Sequence, residues 1–253
     1  MRTTVIVALL WIVTCTAARA DLADLEQFLR SVEAATQVTA PLRGDGQFEV
    51  QTAEGTRRDQ VAVIVRPPVD TYIELRQQGI KALLPGDGGA AYRYKVGAAK
   101  AEVFPLDATF ADSDFAREDL EPFRLSRYSG WRISDETGAE IIVTLFPIAK
   151  ASQYSLVVTT FDREKKVPLK TLYYRDTLNN LVKMRRDSDY ALIGRKWMPT
   201  TMSIETFKQR SHSTFTVQWS QNATFPPELF DQVFLPRPSP LTWPPADTTP
   251  ATK

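Results

Sequence analysis

Five carboxylates fall within ten residues, Asp112, Asp114, Glu118, Asp119 and Glu121, and such a set could cage a hard cation. A calcium loop counted from Asp112 needs a glycine at its sixth position and a glutamate at its twelfth, where Arg117 and Phe123 stand. No metal site is therefore expected. His212 is the only histidine, and Ser211 and Ser213 flank it, which invites a hydrolase reading. No Gly-x-Ser-x-Gly elbow accompanies it, so a histidine-based triad has no support and His212 reads as a surface imidazole. Gly86-Asp-Gly-Gly89 lacks the Lys-Ser/Thr of a phosphate-binding loop and precedes a strand rather than a helix, which makes it a hairpin turn. The expectation is a protein that is not an enzyme, with no catalytic residue and no cofactor.

The acids have a cheaper use in local structure. Thr109–Leu120 lies between two long runs of strand-like sequence and matches neither. Asp114 is the best N-cap for a short helix, Glu118 and Asp119 sit near its positive end, and Pro122 stops it. Phe110, Phe115, Leu120 and Phe123 give the same stretch an apolar side that must be covered. A capped amphipathic plug between two halves of a β-structure reads as a lid or brace over a cavity.

The chain opens with Arg2, an apolar run from Val5 to Val13, and Ala18-Arg-Ala20 as a small-x-small cleavage site, the pattern of a secretory signal peptide over 1–20. Export follows as an expectation, and no later run is long and apolar enough for a membrane helix. The one cysteine, Cys15, lies inside that signal; lipidation there is disfavoured by the bulky Thr14 and by the better site that follows. Cleavage after Ala20 would leave no thiol and so no disulfide or thiolate chemistry. The 31 basic and 30 acidic residues become 29 and 30 once Arg2 and Arg19 are removed, which leaves no basic surplus for nucleic acid.

Leu22, Leu25, Phe28, Leu29 and Val32 recur at helical spacing, so 21–35 reads as an amphipathic helix. From Gly46 to Ala223 the pattern is β, with candidate strands at 47–52, 58–66, 71–77, 91–96, 128–134, 140–148, 154–161, 169–176, 181–187, 197–207 and 213–222. Short turns make successive strands antiparallel neighbours, and roughly ten of them favour curling over a flat sheet. Phe215, Val217 and Trp219 alternate with polar residues, as a half-buried strand requires. Val61–Val65 and Ile141–Phe146 are apolar on both faces and need covering twice, with the N-terminal helix and the plug as the obvious covers. Pro226–Phe230 reads as a short proline-started helix, and 236–253 as a proline-rich, extended and mobile strap. Asn222-Ala-Thr224 is formally a glycosylation sequon.

Several stretches in order resemble the periplasmic outer-membrane lipoprotein-sorting proteins, the LolA-like carriers. Ser113-Asp-Phe-Ala-Arg-Glu-Asp-Leu120 is similar to the signature that family carries midway along. Asp87-Gly88 before Tyr92-Arg-Tyr94, Val167-Pro-Leu-Lys-Thr-Leu-Tyr-Tyr174 before Leu181-Val-Lys183, Gly194–Pro199, and Phe225 with Leu229-Phe230 resemble further pieces. Gly97-Ala-Ala replaces a proline common in that family, and the tail from Pro236 looks like an addition. The likeness spans about Leu22 to Leu235, so 21–235 is taken as one domain. It implies a mainly β, half-open antiparallel β-barrel with an N-terminal amphipathic helix and short lid helices. It also implies a periplasmic carrier of lipoprotein or lipid acyl chains, not membrane-spanning, served by an inner-membrane transporter and an outer-membrane acceptor. On this reading Val143, Leu156, Val158, Met202, Phe215, Val217 and Trp219 would line the cavity. Asp112, Asp114, Phe115, Glu118, Asp119 and Leu120 would form the lid, its aspartates holding shape. The rival reading is a non-carrying accessory of an envelope transport complex that docks through its rim and proline tail.

Overall fold

A computed structural model describes residues 23–177, 179–221 and 223–243. The proposed signal peptide with Cys15, the sequon's Asn222, and residues 244–253 of the tail lie outside them. The fold is one antiparallel sheet of thirteen strands that does not close into a barrel, in the order β6-β5-β4-β3-β2-β1-β13-β12-β11-β10-β9-β8-β7. The first half is β1 (Leu42–Thr52), β2 (Gly55–Arg66), β3 (Asp70–Leu75), β4 (Ile80–Leu84), β5 (Tyr92–Lys95) and β6 (Glu102–Val103). The second is β7 (Tyr128–Glu136), β8 (Glu140–Pro147), β9 (Leu156–Asp162), β10 (Val167–Tyr174), β11 (Leu181–Ile193), β12 (Lys196–Thr206) and β13 (Ser211–Gln221). Each half is a meander, and the two are stitched where β1 pairs with β13, from Leu42 opposite Gln221 to Gln51 opposite His212. The stitch is tight at Gly46, where a Cβ would lie 1.8 Å from the Thr216 carbonyl oxygen.

Two strands escape the sequence reading. Ile80–Leu84 is only five residues between a glycine turn and Pro85, and Glu102–Val103 is two residues long and exposed. The helix at the N-terminus is present as α1, helical from 23 to 36 among the described residues. Its Leu25, Leu29 and Val32 are buried in the main core, and Phe28 meets the Phe161 ring edge-on with centroids 6.0 Å apart. Lys196 of β12 caps its last turn by donating to the carbonyls of Ala34 and Ala35 at 3.2 and 2.8 Å.

The edges of the sheet are β6 and β7, and the chain between them, 104–127, has to travel from one edge to the other. It does so across the inner face and buries Phe104, Phe110 and Phe115 completely or nearly so. The helix within it, α2 (Arg117–Leu120), begins later than Asp114 would place it: its N-cap is Ala116, and the Asp119 carboxylate accepts the Ala116 N–H at 2.8 Å. Asp114 is not a cap because its oxygens are taken by another part of the fold. The stretch upstream is a tight loop, with Phe110 N–H bonded to the Phe115 carbonyl at 2.8 Å and with Ala111 and Asp112 at φ 53° and 51°.

The doubly apolar β2 explains the tail. Val61, Val63 and Val65 enter the main core on the inner face, and Ala62 and Ile64 enter a second cluster on the outer face with Tyr72, Leu83, Tyr94, Leu229, Leu235 and Leu241. The covering element is therefore residues 225–243 and neither α1 nor the plug. Pro227–Phe230 and Gln232–Phe234 form two short 3₁₀ turns, and the strap continues beyond them. Lys81 donates to the Arg237 carbonyl at 2.6 Å, and Ser239 donates to Glu74 at 2.7 Å. The expectation of a mobile strap from Pro236 is corrected as far as Trp243: apolar side chains spaced among the prolines dock on a face that needed cover.

Candidate functional site

The inner face is divided. Near the seam of β1 and β13 the plug fills it with rings: Phe48 and Phe215 lie 4.4 Å apart between centroids, Phe115 and Phe215 5.0 Å, and Phe48 and Phe110 6.0 Å. Beside this packed half lies a cavity of about 230 Å³. Val63, Val65 and Ile73 line it from the first half of the sheet, Val157, Phe161, Met198, Met202 and Trp219 from the second. Ala35 and Thr36 at the end of α1, Phe115, Glu118 to Arg124 and Arg127 of the plug, and Tyr128 of β7 add to the wall. Gly44 lets Trp219 lie flat there, since a Cβ would meet the ring at 3.0 Å, and the Trp219 indole N–H is satisfied by the Pro199 carbonyl at 2.8 Å.

Of the residues expected to line the cavity, Met202, Phe215 and Trp219 do. Val217 and Val143 are fully buried in the main core away from it. Leu156 and Val158 belong to the wrong phase of β9. Val157, Thr159 and Phe161 are the residues that face the cavity, and Thr159 stands opposite Val143 in the ladder. Leu156-Val157-Val158 is apolar at every position, so alternation could not fix the phase, and a one-residue slip turns the whole strand over.

Three of the signature acids, Asp114, Glu118 and Asp119, tie the plug to the second meander and its loops. Asp114 accepts from both Ser211 and Ser213 of β13, the latter at 2.6 Å, while Ser213 receives the Asp114 N–H at 3.0 Å. Asp119 is wholly buried: Lys183 of β11 reaches it at 3.0 Å and also donates to the Asp114 carbonyl at 2.7 Å. The Tyr154 hydroxyl donates to the other Asp119 oxygen at 2.7 Å, and burial followed by the Asp119 charge pushes that phenol far above its ordinary value. Glu118 accepts from the Ser152 hydroxyl and from the Gln153 N–H, and burial still raises its pKa. Asp112 is the exception, exposed at the loop tip. Phe115 and Leu120 supply the apolar side, and both touch the cavity. The serines that flank His212 are thus plug ligands, and the imidazole itself meets Thr214 at 2.9 Å.

Sequence reasoning missed the polar part of the wall. Arg185 and Asp187 of β11 pair at 2.9 Å, with Tyr173 and Tyr190 beside them, and all four line the cavity. Burial raises the Asp187 carboxyl despite its partner, while Asp187 and Tyr173 together hold Arg185 above its ordinary value against the burial penalty. Lys183, Arg185 and Asp187 recur every second residue, which was the available signal, but charge on alternate residues normally marks the solvent face. Arg124, Arg127 and Tyr128, which also line the cavity, carry no sequence signal. Among the described residues no three His, Cys, Asp or Glu side chains are placed to hold a metal, and no helix is long and apolar enough to cross a membrane.

Comparison with solved structures gives the fold its relatives. A DUF1329 family protein from Desulfovibrio piger superposes with a TM-score of 0.72 at 17% identity, covering 85% of this chain and 99% of its own. A domain from Vibrio parahaemolyticus named for outer membrane lipoprotein sorting gives 0.71 at 16% identity, covering 83% and 97%. A LolA superfamily protein from Nitrosomonas europaea gives 0.61 at 13%, covering 81% and 96%. Such identities speak for the fold alone. No curated protein matches the sequence. A family model described as "-like: Uncharacterized protein" matches residues 103–237, from the last strand of the first meander through the plug and second meander to the strap. That span is more than half of the chain, so the chain belongs to this family, and its fold is the LolA-like fold of the lipoprotein-sorting proteins.

Proposed function

We propose that the protein is a periplasmic carrier that shelters an acyl chain of a lipoprotein or lipid in the cavity beside the plug. The observation that carries this reading is the 230 Å³ space itself, walled by Val63, Val65, Val157, Met198, Met202 and Trp219 on the inner face of the sheet. Protein cores leave few voids larger than a water molecule. A recess of this kind, walled largely by apolar side chains with a few polar groups, suits an alkyl chain. An acyl chain that enters it gains ~0.8 kcal/mol per buried methylene. Methionine suits the wall because its flexible thioether adapts to chains of differing length and kink.

The relatives support the direction of the proposal, since one is named for lipoprotein sorting and another for the LolA superfamily. Export by the 1–20 signal, loading by an inner-membrane transporter and delivery to an outer-membrane acceptor belong to the same reading. In the conformation described the space accepts part of one chain, so a cargo with several chains requires movement of the wall. Native mass spectrometry after incubation with an envelope lipid extract tests the proposal. The expected result is a lipid-sized mass increment that disappears in Met202→Trp, which fills the space; an unshifted wild-type mass would overturn the reading.

A further inference from the structure

In the cavity wall around Glu121, guanidinium donors outnumber the acceptors that hold them. The Glu121 carboxylate, 1% exposed, receives Arg117 at 2.7 Å, Arg124 at 2.9 Å and Arg127 as a third partner. Arg117 is engaged through all three of its nitrogens, because it also donates to the carbonyls of Phe104 and Gly89 at 3.0 and 3.1 Å. Arg124 and Arg127 are not. The Arg124 Nε–H is buried without a partner, and its Nη1 is 3.5 Å from the Gly86 carbonyl, at the limit of a hydrogen bond. Arg127 has its one ion pair, among the described residues, with Glu121. Each guanidinium carries five N–H donors, and one carboxylate cannot satisfy both.

The other acids of the wall spend their hydrogen bonds elsewhere, Asp119 on Lys183, Asp187 on Arg185, and Glu118 on Ser152 and Gln153, although the Glu118 charge also acts on Arg127 through space. Glu33 and Asp87 act on Arg124 only through space. Arg124 and Arg127 share the wall with Phe123, Tyr128, Val63 and Val65, so an apolar chain in the cavity would end beside them.

We infer that Arg124 and Arg127 form an anion subsite, and that the preferred cargo is an amphiphile whose chain enters the cavity and whose carboxylate or phosphate head seats on these two side chains. The inference rests on the carrier reading and adds the headgroup chemistry to it. A planar fork that is partly desolvated binds either oxyanion with charge-assisted hydrogen bonds, which are the strong ones. Burial penalises both guanidiniums, holding their pKa below the ordinary value, so an oxyanion seated on them offsets part of that cost.

The test is a titration of the full protein with palmitate, hexadecyl phosphate and hexadecanol. One anion or both should bind at least about ten-fold tighter than the alcohol, the scale of one charge-assisted hydrogen bond; which anion is favoured separates the two headgroup sources. In Arg124→Gln/Arg127→Gln that advantage should vanish while hexadecanol affinity stays unchanged. Glu121→Gln, which releases both arginines from their competitor, should strengthen anion binding and leave hexadecanol alone, and it keeps the inference testable if the double variant does not fold. Equal affinity of wild type for all three probes, with hexadecanol bound, would overturn the subsite and leave the carrier intact. Binding of none of them would overturn both.

Discussion

The two halves of the inner face are built on the same sheet yet furnished differently. Next to the β1–β13 seam the plug inserts Phe110 and Phe115 against Phe48 and Phe215, and Asp114 fastens it to Ser211 and Ser213. On the other side Met198, Met202, Trp197 and Trp219 face the cavity, and the plug's Phe115 and Phe123 stand in its wall. Phe215 stands on the border and belongs to both. The difference teaches that the plug is a filler for one half and a wall for the other. It leaves a space whose shape is fixed on the aromatic side and adjustable on the methionine side.

Substitutions should separate the halves by size of effect. The largest loss is expected from breaking the plug's buried charge: Asp119→Ala strands Lys183, and removing one partner of such a pair costs about 3–5 kcal/mol. Urea unfolding reads this directly, and a loss below about 1 kcal/mol would mean that the plug is not held as described. Phe110→Ala, in the packed half, should cost about 3–5 kcal/mol as well, whereas Met202→Ala, beside space that already exists, should fall below the ~2–5 kcal/mol usual for a buried methionine. If the two costs are alike, the division of the inner face is wrong.

Smaller effects sharpen the picture. Leu241→Ala should cost about 2 kcal/mol, because its side chain is 9% exposed and covers Ile64 and Tyr72 from outside. Thermal unfolding of this variant would show no change if the strap is not docked. Glu118 gives a pH signature with a definite sign. Its folded pKa is raised above 4.5, so the folded state binds the proton more readily than the unfolded chain does. Its contribution to stability is therefore present at low pH and declines as pH rises through the window just above 4.5. The same sign holds for Asp187 above 3.8. Glu118→Gln should flatten the melting temperature across that window. The smallest change is a gain: Asp112→Gly relieves a left-handed residue at an exposed loop tip, and about 0.5–1 kcal/mol of added stability is expected.

The sheet was readable in the sequence because turns such as Pro85–Gly89 and alternation such as Phe215-Val217-Trp219 report local geometry. The motif Ser113–Leu120 told where the plug lies, and Phe115 and Leu120 told that it would be covered. What could not be read is which strand face looks inward when both are apolar, hence Leu156 and Val158 in place of Val157 and Thr159. Nor could local rules show that Lys183, Arg185 and Asp187 point inward, because their reason is the plug's Asp119 more than sixty residues away. The strap was misread for a related reason. Leu241 and Trp243 are too sparse for periodicity and gain meaning only from the apolar outer face of β2 that they help to cover.

One measurement tests the central claim most directly: a crystal structure with a terminally brominated palmitate, located by anomalous scattering of the bromine. The account predicts a peak in the half of the inner face bounded by Val63, Met198, Met202 and Trp219, with Phe110 and Phe115 unmoved. A peak against the outer strap, or a chain that displaces the phenylalanines of the packed half while the cavity stays empty, would contradict it.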